Sequence, residues 1–192
     1  LIIVKSRDYF RGIFQHEGVD SMNQVYVIID MQNDFIDGSL GTPEAPAIVP
    51  RIEARLQQAK KDGQVDFIFT QDTHTEDYLT TQEGKNLPVP HCIKDTHGWN
   101  ICRDLMPYTL LAEVLEKPTF GCTALIDAVA DYDDILLMGL CTDICVISNA
   151  LLLKAFYPEK HIAVDSTCCA GVTVQSHETA LAAMRACQIN VL

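Results

Sequence analysis

The stretch Asp134-Ile135-Leu136-Leu137-Met138-Gly139-Leu140-Cys141-Thr142-Asp143-Ile144-Cys145-Val146 decides the fold. Its first five residues form an apolar run of the length of a buried strand. From Ile144 to Ala155 the chain is again mostly apolar, over a length that suits a buried helix. Thr142 and Asp143 stand between the two runs, and both residue types cap helix N-termini well. The pattern predicts a strand that turns directly into a helix, with Cys145 in the helix's first turn. Unpaired N–H groups and the positive end of the helix dipole favour a thiolate there, so the position predicts a lowered thiol pKa. Taken alone, the residue reads equally well as a buried, inert cysteine.

Similar short apolar runs recur at Gln24–Ile29, Val65–Thr70, Leu111–Leu115, His161–Val164 and Ile189–Leu192. Between them lie helical patterns. Ile48, Ile52, Leu56 and Ala59 recur on one face, with Gly63 as the stop; Leu125, Ile126 and Val129 form a shorter set. Pro158 ends the helix that carries Cys145, and a last helix starts at Ser176, with Ala180, Ala183, Met184 and Cys187 on one face. Strands that alternate with helices, and are apolar throughout, predict a parallel sheet covered on both faces. The expected fold class is α/β, a three-layer α/β/α sandwich around a six-stranded, mostly parallel sheet. Thr73–Asn100 is long, polar and aperiodic and holds three histidines; a loop of that length in a compact domain is usually functional. The sequence has no G-x-G-x-x-G and no phosphate-loop motif, which speaks against nucleotide binding.

The length, 192 residues, suits one domain with a sizeable core. Residues 22–192 are expected to form it. Residues 1–21 read as an N-terminal extension outside the core, a docked N-terminal strand being the alternative. The net charge of −12 argues against nucleic acid and anionic membrane surfaces as partners. No apolar run approaches the ~20 residues of a membrane span, and charges interrupt the apolar start too early for a secretory signal. The eight cysteines are therefore expected to be free thiols in a reducing cytoplasm.

In an open parallel sheet, ligands bind beyond the carboxyl ends of the strands. Asp30 follows the first strand, Asp72 and His74 the second, Lys117 the third, and Cys145 the fourth. Each has a plainer explanation singly, Asp30 as a turn residue and Lys117 as a solvated lysine. Together they place a carboxylate, a metal-ligand pair, an amine and a thiol on one rim. The chemistry that uses such a set is covalent catalysis at a carbonyl. Cys145 would attack, Asp30 would take its proton and pass it to a leaving amine, and Lys117 would hold positive charge near both. Backbone N–H groups at the strand-to-helix turn could stabilise the oxyanion.

Three segments make the chain resemble the isochorismatase-like cysteine hydrolases, in their nicotinamidase/pyrazinamidase branch. They are Ile29-Asp30-Met31-Gln32-Asn33-Asp34-Phe35, Glu116-Lys117, and Gly139-Leu140-Cys141-Thr142-Asp143-Ile144-Cys145-Val146. The resemblance runs from about Met22 to Leu192. It implies a Rossmann-like strand order, a catalytic triad of Asp30, Lys117 and Cys145, a cis peptide at Leu140-Cys141, and an oxyanion held by the N–H groups of Cys141 and Cys145. It also implies hydrolysis of nicotinamide or pyrazinamide to the acid and ammonia through a thioester, a place in pyridine nucleotide salvage, and a homo-oligomer.

Asp72-x-His74 puts two side chains on one side of an extended segment. The resemblance adds His91 as a ligand and Glu83 as a less regular fourth one. Mixed N/O ligation suits a single divalent ion, Zn²⁺ first, with Mn²⁺ and Fe²⁺ open. In families like this one the ion holds the substrate's pyridine nitrogen. Asp95-Thr96-His97 repeats the Asp-Thr-His of 72–74 but is expected to be a surface turn. His16, His161 and His177 have no ligand-spaced partners and are expected to be solvated or structural; Cys92 is not expected to bind metal. Phe35 could face a substrate ring or simply pack in the core, and Phe120 is a second candidate for lining the pocket. The run Pro118-Thr119-Phe120 and the lack of an aromatic just before Pro90-His91 depart from the branch's usual pattern. A related hydrolase of another small amide, a carbamoyl compound or an isochorismate-like substrate is therefore kept as an alternative. So are attack by metal-activated water and, from another class, a non-catalytic thiol redox sensor.

Overall fold

The computed structural model describes residues 23–192; the expected N-terminal extension, 1–21, and His16 with it lie outside the described residues. The element order is β1 (Gln24–Ile29), α1 (Asn33–Ile36), α2 (Ala45–Asp62), β2 (Val65–Asp72), α3 (Gln82–Asn86), α4 (Met106–Thr109), β3 (Ala112–Lys117), α5 (Ala124–Ala128), β4 (Asp134–Leu140), a π-helical turn (Thr142–Val146) leading into α6 (Ile147–Phe156), β5 (His161–Ala170), α7 (Val174–Ala186) and β6 (Asn190–Val191). A 3₁₀ turn, Tyr78–Thr80, precedes α3.

The sheet has six strands in the order β3-β2-β1-β4-β5-β6, and every pairing is parallel. The chain steps outward one way from β1 to β3 and the other way from β4 to β6. Right-handed crossovers then put α2 on one face and α6 and α7 on the other. The order reverses between β1 and β4, and a crevice opens at such a switch point beyond the strand ends. β1, β2 and β4 are buried on both faces, which is why they are apolar runs without alternation.

Helix α2 buries Ala45, Ile48, Val49, Ile52, Leu56 and Ala59, the face expected from spacing. Gly63 closes it in the left-handed region, at φ 68°, with its N–H on the Ala59 carbonyl at 3.0 Å. Helix α7 begins two residues earlier than the Ser176 start expected. Thr173 is its N-cap, and Ser176 completes a capping box as the third residue of the helix. No helix among the described residues is long and apolar enough to cross a membrane.

One glycine sets how closely the central strands approach. Gly139 sits at φ 125°, and a Cβ there would lie 2.1 Å from the Ile29 carbonyl oxygen and 2.8 Å from its nitrogen. Both obstacles are backbone in the sheet's centre and cannot swing away. Gly139→Ala is expected to lower unfolding free energy by about 3 kcal/mol or more, read as an earlier urea midpoint at unchanged slope.

Candidate functional site

Four strand ends deliver the side chains. Asp30 follows directly on β1, and its backbone takes φ 48°, a conformation Asp tolerates. Its N–H reaches both the carbonyl oxygen (3.3 Å) and the Oγ1 (3.2 Å) of Thr70 on β2, and Thr70 Oγ1 donates to Asp30 Oδ1 at 2.6 Å. Asp72 and Lys117 are the last residues of β2 and β3 and are register partners. Both strands thus run two residues further than the hydropathy pattern predicts. Of the added residues, Gln71, Asp72 and Lys117 are polar yet buried by their neighbours at the site, while Glu116 faces outward and pairs with Lys94.

Lys117 Nζ is the hub. It lies 2.7 Å from Asp30 Oδ2, 3.2 Å from Asp72 Oδ1, 2.9 Å from the Thr119 carbonyl oxygen and 3.7 Å from Cys145 Sγ. Its side chain is 1% exposed and that of Asp30 0%, so the ammonium stays in place only because carboxylates surround it. Burial would lower the Lys117 pKa; Asp30, Cys145 and Asp72 together outweigh it and push it up. Burial raises the Asp30 carboxyl, Asp72 adds to that, and Lys117 offsets only part.

Cys145 corrects one expectation. Burial and the facing Asp30 carboxylate push its thiol well above the ordinary value, and Lys117 does not reverse this. The helix-start argument fails because the sulfur is in a residue only 4% exposed, and the cation beside it is shared with two carboxylates. The sulfur is held as a thiol next to a group able to take its proton. Thr142 and Asp143 also differ from their expected capping role: Cys141 is the N-cap residue, without a side-chain cap. The Thr142 hydroxyl instead meets His177 Nδ1 at 2.8 Å, and the Asp143 carboxylate accepts from the Val172 N–H. The opening turn is wound as a π-helix, with the Val146 N–H on the Cys141 carbonyl at 3.0 Å, and the Leu140–Cys141 peptide bond is cis.

Beside Lys117, Asp72 Oδ2 lies 3.0 Å from His74 Nε2 and 3.5 Å from His91 Nε2. Glu83 Oε1 lies 3.6 Å from the first imidazole nitrogen and 3.7 Å from the second. A tetrahedral divalent ion with bonds near 2.1 Å keeps its ligand atoms about 3.4 Å apart, so this set fits. Two further observations support the fit. His74 Nε2 is buried with no partner in hydrogen-bonding geometry. His91 Nδ1 lies 2.8 Å from the Val89 carbonyl oxygen, which places the ring proton there and leaves the Nε2 lone pair directed at the cluster. Burial would raise the Asp72 carboxyl, but both imidazoles and Lys117 outweigh it and hold it well below the usual carboxylate range. If a divalent ion belongs here, free Zn²⁺ at about 100 times its Kd adds ~2.7 kcal/mol to stability, or about 5–10 °C in melting temperature. A chelator is expected to remove that increment, and His74→Ala to abolish it.

Asp95, His97 and Cys92 do not join this ligand set. Asp95-Thr96-His97 is an exposed turn, with the Thr96 N–H on the Ile93 carbonyl. Cys92 is fully buried, and burial pushes its thiol far up. All eight cysteines are free thiols. The Phe35 ring packs on the imidazole of His91, 5.5 Å between centroids, while Phe120 is 43% exposed.

Several supporting residues were not anticipated. Gln32, fully buried, accepts from the Asp72 N–H at 2.7 Å and donates to the Asp72 carbonyl at 2.8 Å, gripping that residue's backbone on both sides. Asp34 accepts from the Cys92 N–H at 2.7 Å, next to His91. Tyr78 sets its ring against both imidazoles, at 4.7 and 4.9 Å. Asn149 accepts from the Cys122 N–H at 2.7 Å and donates to the Cys145 carbonyl at 2.8 Å, tying the helix that follows Cys145 to the segment after Lys117. Gln32 and Asp34 belong to the Asp30–Phe35 motif, which was the available signal; Tyr78 and Asn149 had none.

No curated protein matches the chain in sequence. Among solved structures, the pyrazinamidase/nicotinamidase of Streptococcus mutans is 25% identical, with TM-score 0.77, over 88% of this chain and 99% of that one. The nicotinamidase/pyrazinamidase of Bacillus subtilis is 26% identical, with TM-score 0.76 and the same coverage. The pyrazinamidase of Pyrococcus horikoshii in complex with zinc, 21% identical over 88% of this chain and 98% of its own, shares the fold with TM-score 0.74. Residues 24–192 match the isochorismatase domain as a whole, and the chain belongs to that family.

Proposed function

We propose that the protein is an amide-bond hydrolase of the nicotinamidase type, releasing ammonia from nicotinamide through a thioester on Cys145. The observation that carries this is the position of Lys117 Nζ, 2.7 Å from Asp30, 3.7 Å from the Cys145 sulfur and 3.2 Å from the metal-site residue Asp72. A nucleophile, a proton carrier and a ligand set share one ammonium. The likeness to nicotinamidase/pyrazinamidase structures at 25–26% identity supports the same reading.

In this reading Asp30 takes the thiol proton as Cys145 Sγ bonds to the amide carbon. The carbon–nitrogen bond then breaks, and Asp30 passes the proton to the departing nitrogen, which leaves as ammonia. Water adds to the thioester, Asp30 again holds its proton, and the carbon–sulfur bond breaks to give the acid and the thiol. Lys117 keeps Asp30 oriented and compensates the negative charge that passes between carboxylate and sulfur. The N–H groups of Cys141 and Cys145 are the proposed donors to the carbonyl oxygen. Asp72, His74, His91 and Glu83 would hold one divalent ion, Zn²⁺ by preference, which when bound supplies a Lewis-acid anchor for the pyridine nitrogen. The raised, buried thiol speaks against a peroxide sensor, since that chemistry needs an exposed thiolate.

A panel of nicotinamide, pyrazinamide, benzamide and a carbamoyl compound, assayed for ammonia on zinc-loaded protein, tests the reading. Nicotinamide and pyrazinamide are expected to turn over, and benzamide, without a ring nitrogen, to fall about 10²-fold or more in kcat/KM. Equal rates on benzamide and nicotinamide would remove the pyridine assignment. Turnover of the carbamoyl compound alone would move the protein to another branch.

A further inference from the structure

The turn carrying Cys145 is fastened on the side away from the triad. Thr142 is fully buried, and its hydroxyl shares a 2.8 Å hydrogen bond with His177 Nδ1 on α7. The next side chain, Asp143, accepts from the Val172 N–H at 3.1 and 3.4 Å. Two consecutive residues of the turn are thus tied to α7 and to the short connection that leads into it from β5. That connection is held close: a Cβ on Gly171 would lie 2.9 Å from His177 Cβ and 3.0 Å from its Cα. The base of the histidine is also fixed, because its N–H bonds the carbonyl of the helix cap Thr173 at 3.0 Å.

We infer that His177 is a positioning residue for the nucleophile, acting through the Thr142 hydroxyl to hold the Thr142–Val146 turn against Lys117 and Asp30. The inference rests on the reading of Cys145 as the attacking group. It gives a specific task to a histidine that the sequence offered only as solvated or structural. His177 touches the turn from the α7 side, whereas the triad partners approach from the ends of β1 and β3, so the turn is gripped between them. Without the histidine bond the buried hydroxyl loses this partner and the turn gains freedom. The 3.7 Å approach of sulfur to ammonium is then no longer fixed from behind, and displacement of a reacting group by about 1 Å costs up to ~10²-fold in rate.

The test compares His177→Leu, His177→Asn, Thr142→Val and the double variant Thr142→Val/His177→Leu, all zinc-loaded. Two quantities are read: kcat and KM for nicotinamide, and the rate of Cys145 alkylation by iodoacetamide, resolved by peptide mass spectrometry. His177→Leu and Thr142→Val are each expected to lower kcat about 10- to 100-fold with KM within about twofold, and to speed alkylation of the loosened thiol. The double variant should fall no further than either single one, because both remove the same bond. His177→Asn, whose amide reaches the place of Nδ1, should recover most of kcat and the slow alkylation. A generic packing role would instead leave asparagine as poor as leucine and make the losses additive; either result, or wild-type behaviour in His177→Leu, overturns the inference. Should His177→Leu not fold, His177→Asn and Thr142→Val still decide it, by near-wild-type kcat in the first and loss in the second. Failure of the hydrolase reading is visible separately, as wild-type protein that releases no ammonia, and the alkylation rates then judge the positioning of the sulfur alone.

Discussion

Cys145→Ala should cut ammonia release from nicotinamide by about 10⁴-fold or more, with metal content and fold retained. The fold should survive because the sulfur is the weakest partner of the hub. Lys117 keeps Asp30 at 2.7 Å, Thr119 at 2.9 Å and Asp72 at 3.2 Å after the thiol is gone. The rate should not survive, because no other group within reach of Lys117 can form the acyl intermediate. The variant also separates two mechanisms that share every other residue. If water activated at the metal site attacked directly, Cys145→Ala would keep most of the rate and no covalent adduct would form in the wild type. Cysteine attack predicts the opposite, together with a mass increase on Cys145 when turnover is quenched in acid. Cys145→Ser is expected to stay far below wild type. Its hydroxyl holds its proton more tightly than a thiol, and the carboxylate meant to take that proton already has a raised pKa.

The central strands were legible because β1, β2 and β4 are covered on both faces and must be apolar throughout. β3 was read only weakly: it is an edge strand whose Glu113 and Val114 are exposed, so hydrophobicity marks it poorly. β5 runs to Ala170, well past the expected Val164, because Asp165-Ser166-Thr167 resembles a turn. Asp165 is buried in the strand and paired with Arg55 at 2.6 Å. Asp30, Lys117 and Cys145 could be picked out because each falls at or just beyond a strand end, where parallel sheets bind ligands. Asn149 and His177 could not, and Gln32 only as a member of the Asp30–Phe35 motif. The partners that give these residues their roles lie far along the chain: the Asp72 peptide groups 40 residues from Gln32, the Cys122 N–H 27 from Asn149 and the Thr142 hydroxyl 35 from His177. The capping role expected for Thr142 and Asp143 failed for the same reason: tertiary partners, His177 on α7 and Val172 just before it, displaced the local ones.

Lys117→Met is expected to be at once the most destabilising of the triad changes and inactivating, and its pH dependence is specific. Methionine fills similar volume but leaves Asp30 and Asp72 facing each other with no cation between them. Removing one partner of a buried ion network costs about 3–5 kcal/mol. Asp30 responds by rising further above the ordinary carboxyl range, since the lysine was what offset burial there. A carboxyl whose folded pKa exceeds its unfolded value of about 3.9 adds stability below that value and loses it as pH climbs through the folded pKa. The stability deficit of Lys117→Met against wild type should therefore be smallest near about pH 4 and widen toward neutrality, measured by urea unfolding at each pH. Activity follows from the same shift. A protonated Asp30 cannot take the thiol proton, so at neutral pH the variant should lose about 10³-fold or more in kcat, and its residual rate should climb as pH rises. A stability deficit that did not change with pH would mean that Lys117 serves packing alone, and an active Lys117→Met would remove the ammonium from the mechanism.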